Sequence, residues 1–249
     1  MAEIKARAAR LFKDGHSDFA AGDAAFMAAL NNVEHFTSTT ATDRADFMIE
    51  REFDNRTSLI TDPPDGKIPP LTPEAQLRRR ARTDEITPAN RCITYGVPRL
   101  GGNFGAGPNS YYQIFQSPGY VIFFTEGIHE ARIIALDGRA HLPKNVRTWD
   151  GDSIGHWEGN TLVVDTTNFS AKAGFMGSGE NFHLTERLTR IAPGEIRYEI
   201  TLEDPTQWTR PWSAMIRLRH SPDQLFEFAC HEGNYLTMQG IMGAVAGTR

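Results

Sequence analysis

A cluster of titratable side chains stands just before the apolar run 133–136, in the stretch EGIHEARIIAL. Histidine titrates near neutrality, and a neighbouring carboxylate fixes its tautomer, so we expect His129 to be a general acid and base. Arginine supplies a permanent charge and a planar fork, so we expect Arg132 to hold a carboxylate or an oxyanion. The stretch predicts an acid–base site. The alternative is a strand end that is merely salt-bridged, for example between Arg132 and Glu130.

Three further groups of polar side chains lie at strand ends and turns. They are Asp150, Asp152 and His156; Glu180, His183 and Glu186; and His231, Glu232 and Tyr235. We expect Glu130 or Glu186 to orient the catalytic histidine. We expect His231 and Tyr235 to supply a second proton donor, with a hydrogen-bonded core histidine as the alternative for His231.

Aromatic and polar side chains near these groups are candidates for binding the substrate. They are Tyr112, Trp149, Trp157, His183 and Trp212. Large aromatic rings bury much area and can line an apolar pocket. The alternative is that the tryptophans close the ends of a barrel.

Several other chemistries lack their sequence signals. No HExxH, HxH or CxxC spacing indicates a zinc site, no GxSxG indicates a serine hydrolase, and no GK[ST] indicates a phosphate loop. We therefore expect no metal and no cofactor. The two cysteines, Cys92 and Cys230, are too few for a disulfide framework, which predicts reduced thiols and a cytoplasmic protein.

Composition narrows the class of partner. The 249 residues are 40% hydrophobic and 23% charged, with a net charge of −5. This balance argues against nucleic acid as a partner. The N-terminus lacks the apolar region of a secretory signal, and no stretch approaches the roughly 18 apolar residues of a membrane span. A small hydrophobic or aromatic molecule is the expected partner.

Strand and turn patterns dominate from residue 111 onwards. About eight strands are separated by turn signals such as Ser-Pro-Gly, Glu-Gly-Asn and Pro-Gly, and the last of these strands is expected within 225–233. No long helical pattern separates them, which disfavours a parallel sheet. A mainly β fold is predicted, an antiparallel lipocalin-like barrel over 111–249, because closure removes exposed edges. Mixed polar and apolar strand faces indicate a partly polar lumen or, alternatively, exposed salt-bridged strands.

The N-terminal part has a different texture. Residues 1–36 predict a helical arm that packs between two chains of a homodimer. Residues 37–110 predict a segment that wraps the barrel and includes a short helix beginning at Thr72-Pro73-Glu74, with threonine as the cap. Residues 37–249 are expected to fold as one unit.

Six long stretches of the sequence resemble sequences of other bacterial proteins. They include SLITDPPDGKIPPLTPEAQ, NSYYQIFQSPGYVIFFTEGIHEARIIALDGRAHLP, GDSIGHWEGNTLVVDTTNFS and FEFACHEGNY. With SGENFHLTERLTR and DPTQWTRPWSAMI they span about residues 58 to 235 and resemble a widespread family of uncharacterised bacterial proteins. The resemblance implies no site residues. By analogy of architecture, lipocalin-like barrels include ligand carriers and cofactor-free decarboxylases of phenolic acids.

These observations favour a cofactor-independent lyase. We expect a dehydratase, a decarboxylase or a related enzyme that cleaves C–C or C–O bonds in a small aromatic or terpenoid substrate. A non-catalytic carrier of a hydrophobic molecule is the first alternative, and a hydrolase or isomerase is the second. A carrier needs an apolar lumen with few titratable groups, whereas an enzyme needs titratable groups that converge.

Overall fold

The computed structural model describes residues 59–81, 86–98, 111–172, 175–222 and 224–247. The strands are β1 (Ile60–Asp62), β2 (Tyr112–Ser117), β3 (Tyr120–Thr125), β4 (Ala131–Ala135), β5 (Asp152–Glu158), β6 (Thr161–Thr167), β7 (His183–Ala192), β8 (Glu195–Glu203) and β9 (Trp212–Arg219). The α-helices are α1 (Pro73–Ala81) and α2 (Cys230–Gly247), and a 3-10 turn covers Phe175–Gly177. The predicted arm at 1–36 lies outside the described residues.

The nine strands of the described residues form one sheet, in the order β1-β9-β8-β7-β6-β5-β4-β3-β2. Neighbouring strands are antiparallel except β4 and β5, which are parallel. The mainly β class is confirmed, but a purely antiparallel sheet is wrong. Residues 136–151 cross over after β4 instead of turning back at Asp137-Gly138, so β5 enters the sheet in the same direction as β4.

The described strands do not close into a barrel. One edge of the sheet is β1 and the other is β2, and these edges do not pair with each other. The physical reason lies at β9, whose outer side is occupied by β1 through the pair Ile60 and Ala214. The predicted strand within 225–233 is also wrong. Its first residues make a single bridge, between Gly127 and Phe228, and α2 begins at Cys230.

The segment before β2 contacts the sheet at several points. Thr209 donates its backbone N–H to the carbonyl of Pro70, and Leu71 forms a bridge with Trp208. The hydroxyl of Thr72 accepts a hydrogen bond from the N–H of Ala75 at 3.1 Å. Thr72 therefore caps α1 as its sequence predicts.

Strand alternation assigns each side chain to one of two faces. In β7, Leu184, Glu186 and Leu188 are buried on one face, while the side chains between them are only partly buried. This is the concave face of the sheet, because strands near both of its edges line one pocket there. One part of this face is filled by packed aromatic rings. Phe169 lies 4.8 Å from Phe182, and Trp208 lies 5.5 Å from Trp212, between ring centroids. Further along the same strands, the concave face leaves a pocket.

Candidate functional site

One row of polar side chains crosses the concave face of five consecutive strands. Arg132 on β4 donates from Nε to Ser153 Oγ on β5 at 2.9 Å and from an η nitrogen to Thr166 Oγ1 on β6 at 2.7 Å. It also donates from both η nitrogens to the two oxygens of Glu186 on β7, one of them at 3.0 Å. The hydroxyl of Tyr198 on β8 donates to Glu186 Oε1 at 2.5 Å. Each strand from β4 to β8 thus contributes one member.

The members of this row are buried, and they influence one another's pKa values. Glu186 is 1% exposed and Tyr198 is 4% exposed. Burial opposes the charge of Arg132, but the facing carboxylate of Glu186 outweighs it, and the pKa of Arg132 is raised. Burial, followed by the charge of Glu186, raises the pKa of Tyr198 well above its ordinary value. The row therefore holds the Arg132–Glu186 salt bridge and a phenol that keeps its proton.

The row forms one side of a concave pocket that is open to solvent. Strands β2, β3 and β4 line one side and β7, β8 and β9 line the other. The apolar lining residues are Val97, Ile114, Phe123, Leu188 and Leu218. The polar ones are Tyr112, Thr125, Glu130, Arg132, Glu186 and Tyr198. An apolar pocket with a few convergent polar groups is the usual form of a small-molecule site.

A second carboxylate stands at the rim of this pocket. The hydroxyl of Thr94 lies 3.1 Å and 3.2 Å from the two oxygens of Glu130 and 2.8 Å from Asp150 Oδ1. One hydroxyl carries a single proton, so Thr94 donates to one of these carboxylates at a time. Thr94 therefore joins Glu130 to the crossover segment that carries Asp150.

The loop that carries Thr94 and Val97 is attached to α2. A disulfide joins Cys92 to Cys230, with Cα atoms 5.8 Å apart. Asn234 on α2 donates to the carbonyl of Asn90 at 2.8 Å. The prediction of reduced thiols is therefore wrong, because the fold brings together two cysteines that are 138 residues apart. The bond holds the loop that contributes Val97 to the pocket lining.

His129 does not line the pocket. Its ring packs edge-on against Phe124, with centroids 5.9 Å apart, and its Nε2 lies 3.8 Å from Glu227 Oε1. Phe124 is on the opposite face of β3 from the pocket residue Phe123. His129 lies in the turn before β4, where its backbone is left-handed with a φ of 52°. Glu130 and Arg132 both line the pocket, whereas His129 does not join them.

Two other predicted catalytic residues lie on α2, away from the pocket lining. His231 is exposed, and Tyr235 is 70% exposed and accepts a hydrogen bond from Gln239. Glu186 does line the pocket, but it faces Arg132 and Tyr198 instead of orienting a histidine. The expected pairing of a histidine with Glu186 is therefore not formed.

Of the residues predicted to bind the substrate, only some line the pocket. Tyr112 lines the pocket, whereas Trp212 is fully buried in the aromatic core. Trp149 and Trp157 are 37% and 46% exposed and are not among the described lining residues. His183 lies on the convex face and contacts Asp165.

Several residues of the site were not predicted from the sequence. Thr94, Ser153 and Thr166 are common residue types with no special spacing, so nothing in the sequence marks them. Tyr198 gave a usable signal. Its hydroxyl falls on the otherwise apolar face of β8, with Ile200 and Leu202, and a buried phenol needs a hydrogen-bond partner.

A second polar cluster occupies the convex face. His141 places Nδ1 2.9 Å from Asp152 Oδ2 and Nε2 2.7 Å from Asp165 Oδ1. His183 places Nε2 2.6 Å from Asp165 Oδ2. The hydrogen bond to Asp165 is the main cause that raises the pKa of His183, and the hydrogen bond from His183 is the main cause that lowers the pKa of Asp165. The cluster fastens the crossover segment to β5, β6 and β7.

Within the described residues, no group of three or more histidine, cysteine, aspartate or glutamate side chains is arranged to hold a metal ion. The expectation of a protein without a resident metal stays a prediction. Neither helix, over the residues described, is long and apolar enough to cross a membrane. Comparison with family models, with curated proteins and with solved structures found no match. Inference about function therefore depends on the geometry of the pocket.

Proposed function

We propose that this protein is a cofactor-independent lyase that acts by acid–base catalysis on a small aromatic or terpenoid molecule in the concave pocket. One observation carries the proposal: a buried Arg132–Glu186–Tyr198 network opens on an apolar pocket that also holds Glu130 and Tyr112. Convergent titratable groups in an apolar cleft are a common property of catalytic sites. A simple carrier of hydrophobic molecules has no need of a buried ion pair in its lining.

The roles of the residues follow from their positions. Glu130 is a carboxylate at the rim and serves as the general base. Tyr112 has a hydroxyl in the same pocket, in electrostatic contact with Arg132, and serves as the proton donor. Tyr198 keeps its proton because of its burial and directs it to Glu186, so it positions the substrate through a lone pair on its oxygen. These roles replace those that the sequence suggested for His129, His231 and Tyr235.

We also propose that the protein resembles lipocalin-like proteins in the inner pocket of its curved sheet and not in closure of a barrel. A cytoplasmic location fits a catabolic enzyme, but disulfides persist mainly in oxidising compartments. The Cys92–Cys230 bond therefore favours an oxidising location.

A carrier is the second candidate because five of the eleven lining residues have apolar side chains. A hydrolase or isomerase would use the same acid and base. These alternatives differ in their products. A lyase changes the substrate by loss or gain of a small molecule, an isomerase leaves its mass unchanged, and a carrier returns it intact.

The test is a product screen by gas chromatography and mass spectrometry with a panel of aromatic and terpenoid alcohols, alkenes and acids. Glu130→Gln and Tyr112→Phe should each lower turnover by about 10²–10⁴-fold if they transfer protons. Matched controls are Glu227→Gln and Tyr120→Phe, both on exposed residues outside the pocket lining. If every variant binds a ligand tightly and returns it unchanged, the protein is a carrier and the proposal of an enzyme is wrong.

A further inference from the structure

We propose that the pocket selects a neutral molecule with a hydroxyl group and an apolar body, and rejects the corresponding carboxylate. The part of this inference that concerns the reaction rests on the proposed lyase function. It favours elimination of water from an alcohol over decarboxylation of an acid. Three observations support this inference. They are the hydrogen bonds that Arg132 already makes, the charge of the pocket lining, and the direction of the hydrogen bonds that the lining residues make.

Arg132 is not available to bind an acid. Four of its N–H groups point at Ser153, Thr166 and the two oxygens of Glu186. An arginine has five N–H donors in a fixed fork, and the edge that matches a carboxylate is already filled by Glu186. A substrate carboxylate would have to displace a buried carboxylate that also accepts from Tyr198.

The charge of the lining also disfavours an acid. Arg132 is the single cation among the described lining residues, and Glu130 and Glu186 are the two carboxylates. A ligand carboxylate in this apolar pocket would lose water and meet an excess of like charge, which is costly in a low-dielectric site. A neutral ligand avoids both costs.

The polar groups of the lining mostly accept hydrogen bonds. Tyr198 directs its proton to Glu186, so its oxygen is left to accept. The hydroxyl of Thr125 has backbone carbonyl oxygens within reach, Gly127 at 3.2 Å and Glu130 at 3.4 Å, so it also donates inwards. An alcohol can donate a hydrogen bond to the oxygens of Tyr198 and Thr125, whereas a carboxylate supplies no donor.

Elimination of water uses these groups in a balanced step. Glu130 removes a proton from the carbon next to the carbinol carbon, and the electron pair of that C–H bond forms the C=C bond. The C–O bond breaks, its electrons stay on oxygen, and the oxygen takes a proton from Tyr112. Water and an alkene leave, and transfer of the proton from Glu130 back to Tyr112 restores the site.

The test uses two probes of the same body on the full chain. 4-Isopropylbenzyl alcohol carries no hydrogen on the neighbouring ring carbon, so it reports binding without elimination, and 4-isopropylbenzoate is its carboxylate partner. Calorimetry at pH 7 should show the alcohol binding at least about tenfold more tightly, roughly 1.4 kcal/mol. Glu130→Gln removes one carboxylate and should narrow the preference, whereas Glu227→Gln should leave it unchanged. Equal or tighter binding of the benzoate would overturn the inference.

Turnover separates the two proposals. A tertiary alcohol with the same ring, 2-(4-methylphenyl)propan-2-ol, should lose water to give the styrene. Preference for the alcohol probe without any dehydration among the screened alcohols would support the ligand class and contradict the lyase. Release of CO₂ from an aromatic acid would contradict the ligand class and leave the lyase standing.

Discussion

Arg132 and Glu186 form a two-point ion pair across the concave face, although β5 and β6 lie between their strands. The two residues are 54 positions apart in the chain. Both side chains are nearly inaccessible, at 9% and 1% exposed. The pair therefore joins β4 to β7 on the face that carries the pocket.

Removal of one partner of this pair should destabilise the protein strongly. Glu186→Gln or Arg132→Met leaves a buried group without its counter-charge, which typically costs about 3–5 kcal/mol. The double variant with Glu186→Leu and Arg132→Met should recover much of that loss. Arg132→Lys keeps the charge and loses the fork, so we expect an intermediate stability. Urea unfolding of the four variants measures this, and unchanged midpoints for the single variants would contradict it.

Activity of the same variants separates structure from chemistry. Loss of stability with full activity per folded molecule would make the pair a structural element only.

His129→Ala should keep its activity, because His129 lies against Phe124 and not in the pocket. A loss of 10²-fold or more would restore the acid–base role that the sequence suggested for His129.

Stability should fall in alkali because of Tyr198. Burial and the charge of Glu186 raise its pKa well above the ordinary value of 10.0, so the folded protein holds this proton more tightly than the unfolded chain. The contribution is fully present below pH 10.0 and is lost as the pH rises from there through the folded pKa. Tyr198→Phe should flatten the alkaline decline of the unfolding free energy. Tyr120→Phe is the control, and an equal decline in wild type and Tyr198→Phe would refute the assignment.

The convex cluster predicts a histidine with a raised pKa. The hydrogen bond that His183 donates to Asp165 raises the pKa of His183 above its ordinary value of 6.5, and the same bond lowers the pKa of Asp165 below its ordinary value of 3.8. The His183 contribution is present below pH 6.5 and fades as the pH rises through its folded pKa, and the Asp165 contribution is lost as the pH falls through its own. In an NMR titration, Asp165→Asn should return His183 towards 6.5. Asp137→Asn should not, and an identical His183 curve in all three proteins would argue against the contact.

The disulfide predicts a protein without free thiols. Thiol titration of the unfolded protein, purified without reductant, should find neither Cys92 nor Cys230 free. Replacing both by serine should cost about 2–4 kcal/mol of stability. Ligand affinity should also fall, because the bond holds the loop that carries Val97 and Thr94. Two free thiols per chain would restore the prediction of reduced cysteines.

The predicted arm at residues 1–36 is tested by deletion. If the arm packs between two chains, the truncated protein should have the mass of a monomer in light scattering, whereas the full chain has that of a dimer. The pocket lies within residues 97–218, so the alcohol probe should bind to both forms. An unchanged mass would place the dimer contact elsewhere or exclude a dimer.

Local patterns in the sequence were sufficient for much of the fold. The Thr72 cap predicted the start of α1, and alternation in β7 placed Glu186 on the face of Leu184 and Leu188. These features depend on residues within a few positions of each other, so the sequence determines them directly. His129 lies in the turn before β4, with a φ of 52°, so strand alternation does not fix its position relative to Arg132.

Tertiary structure alone decided which polar groups meet. The sequence marks Arg132, Glu186 and Tyr198 as polar groups near apolar strands, but only strand order and curvature place them in one network. The same holds for Cys92 and Cys230, and for β1, which occupies the side of β9 where a barrel would close. Such pairings are settled by competition among distant segments for the same strand edge and the same buried volume, and no local pattern of residues encodes that competition.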